Sequence, residues 1–299
     1  MPAATVKCYS CCIESFGEGA VTVFRLLSAL MCALWLISGT AAAEVETERM
    51  TWPEIRDAVA AGKTTIIIPT GGTEQNGPHM VTGKHNFIVR DTARRIAEAT
   101  GAALVAPVLA YVPEGDISKR EGHMAYPGTI SVPPETFKAV LAAAAQSFAA
   151  HGFKTIVFLG DSGPNQEPQR MVAAELSRRL SSDGVRAINA DTYYAANGGI
   201  DWLAAEGESL AAIGTHAGIA DTSELLAVYP EGVRVDLRAA DKDGVTGDPA
   251  RATALRGEKL LALKVAAAVR DIENARSGPD LPPAASEGLI NRFLRWAFG

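Results

Sequence analysis

Lys154 to Gln166 reads KTIVFLGDSGPNQ, an apolar run rich in β-branched residues that ends in a glycine-rich polar loop. Thr64 to Gly72, TTIIIPTGG, repeats the pattern earlier in the chain. Short apolar runs that end at glycine predict buried β-strands. Ala102 to Val108 and Val185 to Asn189 are weaker examples, so the sequence predicts four strands.

Helical periodicity fills the intervals between these strands. The predicted helices are Phe87 to Thr100, Glu135 to Ala150, Glu167 to Leu180 and Arg251 to Ala275. Strands that alternate with helices indicate βαβ units and a mostly parallel sheet covered on both faces. No linker interrupts the alternation, so we predict one α/β domain over residues 44–276.

The segment before this domain has the features of a secretory signal. Leu26 to Ile37 is a short apolar run preceded by Arg25 and followed by Ala41-Ala42-Ala43. This order predicts a leader over residues 1–43, cleavage after Ala43, and export to the periplasm or beyond. An uncleaved membrane anchor is the alternative, although the run is shorter than the ~20 residues that span a bilayer.

Composition narrows the classes of partner. The chain has 299 residues and a net charge of −6, without a Lys/Arg-rich run, so nucleic acid is not an expected partner. All four cysteines precede residue 44, which excludes a disulfide scaffold in the exported form. Residues 277–299 form a proline-containing linker and an apolar tail with two arginines. That tail could contact a membrane surface weakly, or pack as a terminal helix.

The chemistry is expected at one edge of the sheet. In open parallel sheets, ligands bind beyond the carboxyl ends of the strands. The loops there, with two other glycine-flanked segments, carry six candidate groups: Glu74, His79, His85, His123, Asp161 and His216. Carboxylates and imidazoles suit zinc, manganese or iron, or acid–base catalysis. Each of them could instead hold its loop by hydrogen bonding.

Five segments, in order, resemble motifs of the creatininase family. They are Glu74 to His85, His123 with Tyr126 to Thr129, Gly160 to Asn165, His216 to Ser223, and Gly247 to Gly257. Together they cover roughly Trp52 to Leu263. The resemblance implies a three-layer α/β/α fold and a metal-dependent amidohydrolase acting on non-peptide C–N bonds of small or cyclic amides. It also implies a homo-oligomer.

Several positions depart from the family pattern. Glu74 matches a metal-binding carboxylate, but Asn76 and Ser162 stand where the family has ligand histidines. His85 stands where the family has the aspartate that bridges two metal ions, and Ile219 stands where it has a glutamate. A neutral imidazole nitrogen cannot readily bridge two cations. We therefore expect one zinc or manganese ion rather than two, held by Glu74, His85 and Asp161, with His216 as the alternative to Asp161 in completing the set.

The remaining site residues follow from the same comparison. We predict that His216, His123 and Asp221 are catalytic, with a histidine moving a proton to the leaving nitrogen. The residues predicted to contact substrate are Gly72, Asn76, His79, Tyr126 and Ser162. Backbone amides of Gly71, Gly72 and Gly163 are candidates for stabilising an oxyanion.

Two alternatives remain open. Because several ligand positions are altered, the chain could be a metal-free binding protein that kept the fold. Ser162 could instead be a nucleophile, since it follows a strand and precedes a helix, although the Gly-x-Ser-x-Gly spacing is missing.

Overall fold

A computed structural model describes residues 44–238 and 243–278. Its sheet has four parallel strands: β1 (Thr65–Thr70), β2 (Ala103–Val105), β3 (Thr155–Gly160) and β4 (Arg186–Asn189). All four predicted strands are present. The second is shorter than predicted; Pro107, which has no N–H to donate, lies just beyond its end. The predicted signal peptide and the tail beyond residue 278 lie outside the described residues.

Nine α-helices occur within the described residues. They are α1 (Trp52–Ala60), α2 (Lys84–Thr100), α3 (Pro134–Ala150), α4 (Gln166–Arg179), α5 (Asp191–Tyr194), α6 (Gly199–Ala205), α7 (Leu210–Ile213), α8 (Ile219–Val228) and α9 (Ala254–Ser277). None of the helices in this part of the chain is both long and apolar enough to cross a membrane.

The strand order β2-β1-β3-β4 determines where the helices lie. Across the sheet, the chain moves in one direction from β1 to β2 and in the opposite direction from β2 to β3 and from β3 to β4. Right-handed crossovers therefore place α2 on one face of the sheet and α3 and α4 on the other. Helices α8 and α9 pack with α2, and α3 packs with α4, which gives the expected three-layer α/β/α fold.

The two central strands are buried on both faces. Ile66, Ile67, Ile156 and Val157 are completely inaccessible to solvent, as a sheet covered on both sides requires. The connection that leaves β1 and the connection that leaves β3 lead to opposite sides of the sheet. This leaves a crevice at the carboxyl ends of these two strands, where ligands bind in folds of this type. The loops that carry the predicted site start from this crevice.

Candidate active site

The register of the two central strands brings the predicted loops together. Thr70 at the end of β1 pairs with Gly160 at the end of β3. The N–H of Asp161 donates to the carbonyl of Thr70 at 3.0 Å, so Asp161 starts beside the loop that carries Glu74. Glu74 thus reaches the same edge as Asp161.

A cavity of about 800 Å³ opens at this edge. Of the predicted site residues, it is lined by Glu74, His85, His123, Asp161, Ser162, His216 and Asp221. Its other wall is more apolar and includes Tyr194, Ile200, Ile213 and Leu260. The cavity therefore joins a charged end to an apolar end.

A chain of alternating charges runs beneath the cavity. The Lys84 ammonium lies 3.2 Å from Asp221 Oδ2 and 3.9 Å from Glu74 Oε1. The His85 ring connects Glu74 to Asp161, with 2.8 Å from Nε2 to Glu74 Oε1 and 2.8 Å from Nδ1 to Asp161 Oδ2.

The same charge chain continues into helix α9. Lys264 Nζ donates to Asp161 Oδ1 at 2.8 Å and to Glu224 Oε2 at 2.7 Å. The Tyr193 hydroxyl also donates to Asp161 Oδ1, at 2.8 Å. Both Asp161 oxygens are therefore engaged by protein groups.

The His85 ring is held in its protonated form. Burial and the Lys84 charge would lower its pKa, but hydrogen bonds to Asp161 and Glu74 raise the pKa of His85 to about 9. A protonated imidazole has two N–H donors and no lone pair for a metal. The structure brings the three predicted ligands together, but with His85 as a cation between two carboxylates. This differs from the predicted ligand role.

The neighbouring carboxylates are held in the ionised form. Burial alone would raise the pKa of Glu74, but the His85 hydrogen bond and the nearby cations hold it well below its ordinary value. Burial would also raise the pKa of Asp221, and the Lys84 charge outweighs that effect. Glu74 therefore offers the cavity a permanent negative charge.

A different set of residues has the geometry of a metal site. Ligand atoms of Glu74, His123 and His216 all lie within 4.8 Å of one another. Glu74 Oε2 is 3.3 Å from His123 Nε2, and Glu74 Oε1 is 3.7 Å from His216 Nδ1. Two ligand atoms that bind one zinc ion at about 2.0–2.2 Å each lie at such separations. One carboxylate and two imidazoles suit zinc or manganese.

The comparisons with known proteins agree with this fold. The sequence profile of the family described as Creatininase: Creatinine amidohydrolase matches residues 48–272. The chain belongs to the creatininase family.

Relatives of this chain are named as hydrolases of different substrates. A mycofactocin precursor peptide peptidase of Mycobacterium ulcerans (strain Agy99) is 29% identical over 267 residues, covering 77% of this chain and 88% of the relative. A creatinine amidohydrolase of Pseudomonas putida is 29% identical over 205 residues, covering 67% and 77%. Substrate class therefore varies among the proteins that this chain resembles.

Solved creatininase structures share the fold. A crystal structure of creatinine amidohydrolase superimposes with a TM-score of 0.65 at 25% identity, covering 79% of this chain and 99% of that one. Other creatininase structures are described as a Mn form and a Zn-Zn type. Members of the creatininase family thus hold the metals expected here.

The structure places four of the five predicted substrate contacts away from the cavity wall. His79 is fully buried, and its Nε2 pairs with the Thr222 hydroxyl at 3.0 Å. The Asn76 amide donates to the Glu74 carbonyl at 2.9 Å. The Tyr126 hydroxyl donates to Asp243 at 2.6 Å. Gly72 is buried beside Glu114, and only Ser162 lines the cavity.

Two of the three predicted oxyanion amides are already used. The Gly71 N–H donates to the Leu109 carbonyl at 3.0 Å, and the Gly72 N–H donates to Asn86 Oδ1 at 3.1 Å. Neither is free to bind a substrate oxygen, so this expectation was wrong for both glycines. Gly163 does line the cavity.

Ser162 lacks the partner that a nucleophile needs. Its hydroxyl donates to Glu114 Oε2 at 3.2 Å. Burial and the negative charge of Glu74 raise the pKa of Glu114 to about 8, so this carboxyl is protonated at neutral pH. A protonated carboxyl cannot accept a proton from the hydroxyl, which argues against the serine mechanism.

Several residues of the site were not predicted. Lys84, Glu114, Glu224 and Lys264 are all at least 91% buried although their side chains are ionisable, and Gln75 contacts both cavity histidines. A signal existed for Lys264, because it lies on the apolar face of its helix between Leu260 and Ala268. Glu114 follows β2, whose carboxyl end lies at the same edge of the sheet. The rule that ligands bind beyond the carboxyl ends of parallel strands would therefore have indicated it.

Proposed function

We propose that this creatininase-family protein is a hydrolase of amide C–N bonds that uses one divalent metal ion bound at Glu74 and His216, next to His123. The observation that carries the proposal is the convergence of these three side chains at the charged end of the cavity. Family membership supports hydrolysis, and the Mn and Zn-Zn creatininase structures support the choice of metal.

One ion rather than two is proposed because protein cations already neutralise the neighbouring carboxylates. Asp161 pairs with His85 and Lys264, and Asp221 pairs with Lys84. A second dication would have to displace a buried, hydrogen-bonded ammonium or imidazolium, which is costly in a low-dielectric site. Glu74 faces the cavity and the two other histidines, so it remains the natural ligand for a single ion.

The surrounding side chains support amide hydrolysis in specific ways. A metal ion in this position would lower the pKa of a bound water and polarise a carbonyl. His123 lies beside Glu74 on the cavity wall, where its Nε2 can serve as a third ligand or donate a proton to the leaving nitrogen. The Lys84 charge adds a positive potential close to the developing negative charge.

The substrate class is the finer part of the proposal. The sequence predicted a small or cyclic amide, but a cavity of about 800 Å³ with an apolar wall favours a more extended amide such as a short peptide. That volume lies toward the upper end of the ~300–1,000 Å³ range of ligand pockets. The relatives include enzymes named for both substrate types, so they do not decide between them.

Metal titration of the purified full chain tests the core of the proposal. After treatment with chelator, we expect one equivalent of zinc or manganese to bind by calorimetry. His216→Gln should weaken binding by more than the about 10- to 100-fold that loss of an outer-shell partner causes. His151→Gln, at the exposed end of α3, is the matched control and should bind as wild type does. No saturable binding to wild type would reject the metal centre.

A substrate panel then separates the two amide classes. The metal-loaded protein is assayed with cyclic amides and with short peptides that carry an apolar residue. Cleavage of the peptides alone supports the extended class, whereas opening of the cyclic amides alone restores the prediction made from sequence. If ligands stabilise the metal-free protein and none is cleaved, the binding-protein alternative is correct.

We also propose that the chain is exported and assembles as a homo-oligomer. Export rests on the predicted signal over residues 1–43, and assembly rests on the resemblance to the family. Cell fractionation with mass spectrometry of the N-terminus tests the first, and light scattering tests the second. A weak membrane contact through the tail stays a prediction as well, to be checked by vesicle sedimentation.

A further inference from the structure

Gln75 lies between the two cavity histidines. Its side-chain nitrogen is 3.2 Å from His123 Nδ1 and 3.1 Å from His216 Nε2. Its own backbone carbonyl oxygen is 2.9 Å from His216 Nε2. Gln75 is 9% exposed, so water does not replace these contacts easily. One residue therefore contacts both rings.

The orientation of the Gln75 amide is fixed by two backbone groups. The Gly77 N–H donates to Oε1 at 2.8 Å, and Nε2 donates to the Gly244 carbonyl at 3.1 Å. A flipped amide would place its nitrogen against the Gly77 N–H, two donors, and its oxygen against the Gly244 carbonyl, two acceptors. Gly244 also has φ +68°, and a Cβ there would lie 2.2 Å from Gln75 Oε1. The surrounding backbone thus accepts only one orientation.

The backbone carbonyl of Gln75 assigns the proton on His216. If His216 Nε2 carried a lone pair, it would face the Gln75 carbonyl oxygen at 2.9 Å without a hydrogen between them. Nε2 is therefore the protonated nitrogen and donates to that oxygen, and the 3.1 Å contact between His216 Nε2 and the Gln75 side-chain nitrogen is not a hydrogen bond. Nδ1 then carries the lone pair, and it lies 3.7 Å from Glu74 Oε1, which is also an acceptor. Two facing acceptors favour a cation between them.

The same amide gives His123 the same tautomer as His216, but His123 turns its other nitrogen, Nε2, toward Glu74. One amide hydrogen of Gln75 is used by the Gly244 carbonyl; because His216 Nε2 is itself a donor and cannot accept the other, His123 Nδ1 is left as its acceptor. A neutral imidazole that accepts at Nδ1 carries its proton on Nε2. That N–H faces Glu74 Oε2 at 3.3 Å. To bind a metal through Nε2, His123 would have to give up the Gln75 contact.

We infer that Gln75 is a positioning residue that gives the two histidines different roles, His216 as a metal ligand through Nδ1 and His123 as the proton donor through Nε2. The ligand half of this inference rests on the proposed function, whereas the placement of the protons does not. Outer-shell hydrogen bonds commonly fix the tautomer of a histidine and tune its affinity for a metal.

Nitrogen NMR of the metal-free protein tests the proton placement directly. In mildly alkaline buffer, long-range proton–nitrogen spectra should show His123 and His216 both protonated at Nε2. In Gln75→Glu the carboxylate has no hydrogen to donate, so His123 should gain a proton at Nδ1. Gln146→Glu, on the exposed surface of α3, is the control and should leave both rings unchanged. A wild-type His123 protonated at Nδ1, or a Gln75→Glu spectrum like that of wild type, overturns the inference.

Metal titration of a neutral variant tests the consequence. Gln75→Met removes the amide that donates to His123 Nδ1 without adding a carboxylate, so the His123 Nε2 lone pair becomes available to the metal. Zinc should then bind more tightly than to wild type by about tenfold, the lower end of the change that an outer-shell substitution causes. Unchanged or weaker zinc binding would overturn the role assigned to His123. If wild type has the stated tautomers but binds neither zinc nor manganese, the proposed metal function fails while the positioning role of Gln75 stands.

Discussion

Removing the Lys264 ammonium should destabilise the protein far more than removing an exposed lysine from the same helix. Lys264 is 9% exposed and lies 2.7 Å from the Glu224 carboxylate, which is itself 5% exposed. Lys264→Met would leave that carboxylate buried without its cation. It would also remove the ammonium that donates a hydrogen bond to Asp161. Breaking a buried ion pair in this way costs about 3–5 kcal/mol.

The predicted loss is large enough to measure by two methods. Urea unfolding should show the change in the free energy of unfolding, and calorimetry should show Tm lowered by about 6–20 °C, at about 2–4 °C per kcal/mol for a domain of this size. Lys259→Met, on an exposed face of α9, is the control and should shift stability by less than about 0.5 kcal/mol.

A second variant distinguishes the unpaired charge from a simple packing defect. Lys264→Met combined with Glu224→Met removes both members of the pair, and an apolar replacement of a buried pair is often tolerated. The double variant should therefore regain part of the stability lost in Lys264→Met. If Lys264→Met unfolds like Lys259→Met, or if the double variant is the less stable of the two, the charge chain does not stabilise the fold as described.

Two further predictions concern stability. Because the folded pKa of Glu114 is raised to about 8 from 4.5, its contribution is present below about pH 4.5 and is lost as pH rises toward 8. Glu114→Gln removes the titrating group and should remove that loss. Between pH 5 and pH 9 the free energy of unfolding of the variant, measured in urea, should rise relative to that of wild type by at least about 1 kcal/mol. Parallel curves of the two proteins against pH would contradict this prediction. Gly257→Ala should destabilise by about 1–3 kcal/mol in the same assay, because its Cβ would lie 1.9 Å from the Ser223 carbonyl oxygen; a more stable variant would disprove the close contact.

The strands could be predicted because their burial leaves little choice of residue. Thr65–Thr70 and Thr155–Gly160 are buried at every position, and only continuous apolar runs satisfy a sheet covered on both faces. The second strand was predicted too long, since apolar composition alone does not show where strand pairing ends.

The position of the site was predictable, but the roles within it were not. The rule that ligands bind at the carboxyl ends of parallel strands indicated the loops with Glu74 and Asp161 correctly. Motif spacing could not show that both nitrogens of His85 face carboxylates, because that depends on Asp161, which lies 76 residues away. For the same reason it could not show that His79 turns inward to Thr222.

The polar residues that depart from the family pattern each engage a polar partner in the structure. His85 replaces a bridging carboxylate, and its positive charge is matched by Glu74 and Asp161 on either side. Asn76 replaces a ligand histidine and uses its amide to hold the loop backbone. Ser162 replaces another and donates to a buried carboxyl. Removing one partner of a buried ion pair costs several kcal/mol, and here neither buried carboxylate lacks a cation: Asp161 pairs with His85 and Lys264, and Glu74 pairs with His85.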